Sequence, residues 1–371
     1  MSRADEVAIV AARRTPIGTA GHGLAALTAA DLAAAVLPVV LADAAIEPHE
    51  VADVVLGNCT GPGGDLARYA ALQAGLGVTV PGLTVDRQCG SGLAAVAVGA
   101  ALVSANQSSR SVILAGGVES ASTSPRPGRA PFAPPELGDP EMGEAADHVA
   151  GLHGVSRERQ DAYALRSHRL AVAAQTAGVH DAELVPVGGL TQDERPRRGM
   201  SLERLARMRP IFGSDGTATA GNSCGVNDGA AVVALMSEAE RRRRGLPGLR
   251  ILASATAGVD PRTPGLGIVP AVRAVLDRLE LSLGDIGVIE FNEAFAGQVL
   301  ACCDDLALDP ERVCAQGGAI ALGHPWGASG AVLLTRLFSQ LVRTPQPGAL
   351  GLAAIAVGGG QGVAMVVESC H

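Results

Sequence analysis

Leu83-Thr-Val-Asp-Arg-Gln-Cys89-Gly-Ser-Gly-Leu93-Ala-Ala-Val-Ala-Val-Gly-Ala-Ala-Leu-Val103 carries the reading of the fold. Leu83–Val85 has the short, apolar character of a strand, a polar turn follows, and Gly-Ser-Gly opens an Ala-rich helix over Leu93–Val103. A strand passing so directly into a helix is the repeating unit of α/β proteins. The same alternation runs through most of the chain. Strands are expected at Val7–Val10, Val112–Ala115, Arg250–Ala253 and Val363–Val367, and helices at Asp31–Ala45 and Pro270–Leu279.

The unit is echoed later in the chain at an offset of about 234 to 242 residues, the mark of an internal repeat. Val54-Val-Leu-Gly-Asn58 answers Val288-Ile-Glu-Phe-Asn292, and Cys89-Gly-Ser-Gly92 answers Gly327-Ala-Ser-Gly330. Leu114-Ala-Gly-Gly117 answers Ala356-Val-Gly-Gly359. Three matches in order predict a duplicated α/β fold. One half is expected over 1–119, completed by about 215–245, and the other over 246–371. Residues 120–214 are richer in Pro, Arg and Gly, with helical fragments at Arg157–Ala177 and Leu202–Met208, and read as an insertion that covers a site.

Composition narrows the function. At 371 residues the chain exceeds one ordinary core. Hydrophobic residues make up 47% and aromatics only 2%, so the core must be built from Ala, Val and Leu, which suits helices packed closely on a sheet. A net charge of -8 and few stacking rings argue against nucleic acid. No apolar run is read as long enough to span a bilayer, and the chain opens on strand-like Val7–Gly18 without a leader pattern. Seven Cys, an odd number with no Cys-x-x-Cys pair, argue against a disulfide framework and against a metal site. The expectation is a soluble cytoplasmic protein with reduced thiols. The Arg241–Arg244 run ends a polar helix and reads as a solvated face.

Four places could carry chemistry. Cys89 stands at the head of a helix, where the dipole and unpaired N–H groups lower a thiol pKa and favour the thiolate; the plainer reading is a small structural residue. His324 enters another helix through a glycine-dense turn. It is either a capping or core histidine or the base that takes a thiol proton. Asn292 follows an apolar strand, as a helix cap or as an amide that orients water or donates to an oxyanion. Gly358-Gly-Gly-Gln-Gly362 ends a buried strand, as a tight turn or as backbone donors to an oxyanion.

Asp86-Arg-Gln-Cys-Gly-Ser-Gly-Leu93, Asn292-Glu-Ala-Phe-Ala296, Gly317–Gly330 and Gly358–Gly362 together resemble the four signature blocks of the thiolase superfamily, in the family's order and near its spacing. Arg13-Arg-Thr-Pro16-Ile-Gly18, Thr219–Asn222 and Asn227–Ala230 are similar to further family segments. The resemblance implies duplicated halves of layered helices and mixed five-stranded sheets, with an inserted loop domain at 120–214. It also implies an acyl-CoA C-acyltransferase that cleaves 3-ketoacyl-CoA by thiolysis or condenses acyl-CoAs, with coenzyme A thioesters as substrates and no permanently bound cofactor. Cys89 would be the acyl-accepting nucleophile and His324 its base. His324 and a water on Asn292 would line one oxyanion hole, and the N–H groups of Cys89 and Gly358 a second. Met142, Arg197 and Ala220 fall at coenzyme A contacts, Cys224 near the acyl tail, and Arg195 and Arg198 beside the phosphates, which arginine suits.

The likeness fails at one reacting position. Most members of the family the chain resembles carry a second Cys two residues before the last glycine turn, as the base that takes the α-proton of the incoming thioester; here it is Ala356. Loss of a general base typically costs roughly 10²–10⁴ in rate, about 3–5 kcal/mol of barrier. Acylation of Cys89 would survive and condensation would suffer, whether Ala356 is natural or was introduced to trap the acyl-enzyme. Three other readings stay open: decarboxylative condensation through Cys89, His324 and Asn292; acyl transfer to an oxygen or nitrogen nucleophile; and a non-catalytic subunit that binds coenzyme A or a partner. Glu141 replaces a common His, and the Ser124–Pro140 segment is short for the family. Because that segment commonly builds a tetramer contact, a homodimer is expected, with a tetramer as the alternative.

Overall fold

The computed structural model describes residues 6–105, 112–125 and 129–371. Residues 1–5 and 106–111 of the expected first half, and 126–128 of the Ser124–Pro140 segment, lie outside the described residues. Among the described residues ten strands form in chain order. They are β1 (Val7–Arg14), β2 (Gly18–Thr19), β3 (Val51–Gly57), β4 (Gly82–Val85), β5 (Val112–Ser120), β6 (Asn227–Ser237), β7 (Gly248–Gly258), β8 (Val288–Phe291), β9 (Leu350–Val357) and β10 (Gln361–Cys370).

The mixed α/β architecture is the one the resemblance implies, and its strands join edge to edge in one sheet, ordered β4-β3-β5-β6-β1-β7-β10-β9-β8, with β2 paired to β6. The seam is a short antiparallel contact, Val7 to Ile251, Ala8 to Arg250 and Ile9 to Leu249. The β1 pairing shifts register between Ile9 and Ala11. The halves differ at their outer edges. β3 pairs with β4 over four residues, whereas on the side away from β9 the described residues give β8 a single bridge, Ile289 to Val313.

Strand residues alternate between two cores, as a pleat requires. Val112, Leu114 and Val118 of β5 pack with helix Ala29–Asp43, while Ile113 and Ala115 face the helices Ser91–Ala105 and Trp326–Phe338. These two helices also meet Ile355, Val363 and Met365, so they lie between the halves. The stretch Gln88–Ala105 is long and apolar enough to cross a membrane, contrary to expectation. It is apolar on both sides because it fills this middle layer, with Leu93, Ala95 and Val96 fully buried.

The first two repeat matches fall on equivalent elements; the third is out of register. Strand pairing sets Val54 beside Leu114 and Val288 beside Gly351, so Leu114 answers Gly351 and not Ala356. Small-residue strand ends look alike in sequence, which is how the false match arises. By the same register Glu119 answers Ala356.

The covering segment is more helical than expected, with helices at Met142–Leu152 and Arg157–Thr176. A buried ionic cluster fastens it to both halves. Arg14 of β1 meets Glu183 at 2.8 Å and Asp193 at 2.7 Å, and Arg336 meets Glu183 at 2.7 Å. Burial opposes the Glu183 charge, yet Arg336 and Arg14 hold its carboxyl well below the usual range. The arginine run is only partly the expected solvated face. Arg242 and Arg243 are exposed, but Arg241 is buried on Glu238, its partner at 2.7 Å.

Candidate active site

β4 delivers Cys89. After Val85 the turn Asp86–Gln88 reverses the chain, and Gln88 takes φ 46°, a left-handed backbone that costs a non-glycine residue about 1–2 kcal/mol. Ser91 pins the turn: its Oγ accepts from Arg87 N at 2.8 Å and donates to Gln88 O at 2.6 Å. Cys89 is half-buried at the tip. A β-carbon on the next residue, Gly90, would lie 2.7 Å from Val357 Cγ2, so the nucleophile turn rests on the second half's last strand pair.

His324 arrives from the corresponding turn of the second half. The helices that follow the two turns cross where neither can carry a side chain. A β-carbon on Gly92 would lie 2.8 Å from Gly327 O, and one on Gly330 would lie 2.3 Å from Leu93 N. That crossing packs the first turns of the two helices against each other, with Cys89 just ahead of one and His324 just ahead of the other. The His324 backbone donates to Asn227 Oδ1 at 2.9 Å, and its ring is buried. Nδ1 lies 2.6 Å from Ser329 Oγ and Nε2 lies 3.4 Å from Asn292 Nδ2. An amide nitrogen only donates, so Nε2 presents its lone pair and Nδ1–H donates to Ser329.

Asn292 ends β8 as Asn58 ends β3. Asn58 gives its amide to Val118 O at 2.9 Å and to Glu119 Oε1 at 3.1 Å. Where register puts Glu119 in the first half, the second half has Ala356, and Asn292 turns its amide to the imidazole instead. Ala356 itself is half-buried, opposite Gly362 of β10, and has no atom that binds a proton. Gly358 opens the turn into β10, with Gly359 and Gly360 at φ 80° and 77°.

The electrostatics overturn one expectation. Burial pushes the Cys89 thiol up to about 12, Cys224 and Glu119 add to the rise, and its backbone hydrogen bond only partly offsets them. Desolvation therefore outweighs the helix head, and the resting sulfur is a thiol, not a thiolate. Burial alone drives His324 down to about 3, so the ring is a neutral imidazole.

The expected coenzyme A contacts separate into groups. Cys224 N donates to Ala294 O at 2.9 Å and Val226 bridges His324, so the 219–226 segment runs between the turns that hold Asn292 and His324. Burial pushes the Cys224 thiol up to about 12, against the opposing charge of Arg195. Arg195 reaches Ser223 O at 3.5 Å, while its Nε is buried without a partner among the described residues. Arg197 is exposed and its N–H donates to His168 Nδ1 at 3.3 Å; Arg198 and Ala220 are also exposed. Met142 begins its helix beside Gly143, which abuts the Phe212 ring, and Phe212 stands edge-on to Phe295 at 5.8 Å.

Sequence reasoning missed the supporting shell. Ser329 and Asn227 lay inside the quoted motifs without a role. Glu293 was also quoted, yet it is buried and accepts from Tyr163 Oη at 2.9 Å, Ser167 Oγ at 2.7 Å and Ile320 N at 3.2 Å. It thereby fastens the insertion to the turns holding Asn292 and His324. A charge beside an apolar strand end, as at Glu119 and Glu293, was the available signal.

Residues 7–239 match the family description Thiolase, N-terminal domain, and residues 247–369 match Thiolase, C-terminal domain. The acetyl-CoA acetyltransferase of Escherichia coli is 42% identical over 394 residues, covering 97% of this chain and 98% of that protein. That of Pseudomonas aeruginosa is 41% identical over 392 residues, covering 98% and 99%. The crystal structure of the Bacillus anthracis acetyl-CoA acetyltransferase matches with a TM-score of 0.92 at 38% identity, over 98% of each chain. Fold and relatives together define an acyltransferase enzyme. The chain belongs to the thiolase family.

Proposed function

We propose that this enzyme transfers acyl groups from coenzyme A thioesters through a thioester on Cys89, with His324 as the base. The observation that carries the reading is the imidazole lone pair, fixed on Nε2 by Asn292 and Ser329 at the head of the helix that crosses the nucleophile's own. Because thiol and imidazole are both neutral, the Sγ proton passes to Nε2 as sulfur attacks the carbonyl carbon. The carbon–sulfur bond to coenzyme A then breaks, and the departing thiolate takes the proton back. While Nε2 carries the proton, its N–H and a water on Asn292 serve one oxyanion, and the N–H groups of Cys89 and Gly358 the other. Acetyl-CoA is the donor suggested by the names of the relatives, with Met142, Arg195, Arg197, Arg198, Ala220 and Cys224 along the coenzyme's path.

Ala356 leaves the carbon–carbon step without its usual base, so thiolysis and direct condensation run slowly. The same feature favours decarboxylative condensation as the second reading, since loss of carbon dioxide supplies the carbanion. Residues 1–119 with about 215–245 form one half, 246–371 the other, and 120–214 the coenzyme-binding insertion. The enzyme acts in the cytoplasm as a homodimer. β4 ends the sheet on an open edge, with exposed Leu83 and, nearby, exposed Tyr69, Leu72 and Val78, an arrangement that invites a second copy.

Incubation with acetyl-CoA followed by peptide mass spectrometry is expected to place one acetyl group on Cys89; an unmodified Cys89 refutes the proposal. Ala356→Cys is expected to raise acetoacetyl-CoA thiolysis by roughly 10²–10⁴, and an unchanged rate removes the account of the missing base. Faster condensation with malonyl-CoA than with acetyl-CoA selects the decarboxylative reading.

A further inference from the structure

We infer that Phe132, held in place by Arg129, is the wall that limits acyl-chain length on Cys89 and makes the enzyme selective for short, unbranched acyl thioesters. The inference rests on the proposed acyl-Cys89 and goes on to name the class of acyl group.

Position comes first. A β-carbon on Gly358 would lie 2.7 Å from Phe132 Cδ2 and Cε2, and 3.1 Å from Cζ. The ring therefore occupies the space into which a side chain at 358 would point. Gly358 directly follows β9, two residues beyond Ala356, so the ring lies at the end of the strand that carries Ala356. The neighbouring Val357 is the residue against which Gly90 packs, so ring, glycine turn and nucleophile turn are consecutive neighbours. An acyl carbonyl held on Cys89 by the Gly358 N–H has its alkyl chain directed between the small Ala356 methyl and the Phe132 ring. An acetyl group fits in front of that ring, whereas each further carbon must displace it.

The ring is not free to give way. Phe132 N donates to Asp139 Oδ1 at 3.2 Å, and the Arg129 guanidinium carbon stands 4.5 Å from the ring centroid. Arg129 is itself clamped. Its Nη1 donates to both Asp139 carboxylate oxygens at 2.8 and 2.9 Å, its Nη2 to Asp139 O at 2.7 Å, and its Nε to Glu141 Oε1 at 3.1 Å. The short segment that carries the ring is thus braced by cation–π and ionic contacts at once. Arg129 touches no reacting atom; it is a positioning residue.

The test compares acetyl-, butyryl- and hexanoyl-CoA as acyl donors, reading the rate of Cys89 labelling by mass spectrometry. The wild-type enzyme is expected to favour acetyl over hexanoyl by at least tenfold, the discrimination typical of one or more refused methylenes. Phe132→Ala is expected to raise the hexanoyl-to-acetyl ratio roughly tenfold. Phe132→Leu, which keeps the segment packed, shifts it part of the way. Arg129→Met should broaden the profile in the same direction while acetyl labelling persists, a change in ratio that a merely structural role would not produce. Equal wild-type rates for all three donors, or an unchanged ratio in both Phe132 variants, overturns the inference and leaves acyl-Cys89 standing. No label from any donor in the wild type removes acyl-Cys89 itself, and the inference with it.

Discussion

Ser329→Ala tests the tautomer on which the chemistry depends. In the native site Ser329 Oγ lies 2.6 Å from His324 Nδ1, and both side chains are buried. Removing the hydroxyl leaves the buried Nδ1–H without that acceptor, a penalty of about 1–3 kcal/mol. The ring can escape that penalty only by moving its proton to Nε2, which then confronts the Asn292 donor at 3.4 Å and no longer offers a lone pair to the thiol. Either way the transition state for acylation rises by the same 1–3 kcal/mol, a slowing of about 5- to 150-fold. Rapid-quench mass spectrometry of Cys89 acetylation measures this step alone. The expected result is a lower maximal acylation rate with little change in the acetyl-CoA concentration for half saturation. A rate within twofold of wild type, or a loss confined to substrate affinity, would refute the assigned tautomer.

Acid should weaken the fold before it titrates the base. Burial lowers His324 to about 3, and His168 and His180 to about 4, the last two helped by nearby arginines. The unfolded chain binds these protons near pH 6.5 and the native state does not. Stability is therefore full above that value and falls as pH drops, by about 2 kcal/mol per histidine at pH 5; a flat urea midpoint between pH 8 and pH 5 contradicts this. Glu293→Ala strips the acceptor from three buried donors and should cost on the order of 3–6 kcal/mol, with Glu293→Gln milder; urea titration decides, and a loss under about 1 kcal/mol counts against the staple. Gly92→Ala forces a β-carbon to 2.8 Å from Gly327 O and should cost about 1–3 kcal/mol. Acylation should slow with it, since the turns of Cys89 and His324 move apart; wild-type kinetics would show that the crossing does not set their approach.

Much of this was readable in the chain because glycines are read locally. Gly92 and Gly330 mark the crossing, and Gly358–Gly360 the last turn, so the blocks around Cys89, Asn292 and His324 stood out as backbone requirements. The state of Cys89 did not. A helix head can be read from neighbours in sequence, whereas burial and the charges of Cys224 and Glu119 are set by residues brought in from afar. The Leu114–Gly117 match failed for a related reason: Ala and Gly fit many strand positions, and only the pairing partner fixes register. Phe132 was invisible because nothing near it in sequence says that its ring will lie on Gly358.

The single bridge from Ile289 to Val313 has a consequence for assembly. Cys314 N donates to Ile289 O at 2.9 Å and Cys314 Sγ to Phe291 O at 3.1 Å, so the outer carbonyls of β8 are already taken. A duplicated fold with two equal flanks could add copies at both and grow into a fibre. Among the described residues the β4 flank carries no further strand, so strand-to-strand joining through that edge pairs two copies about a two-fold axis.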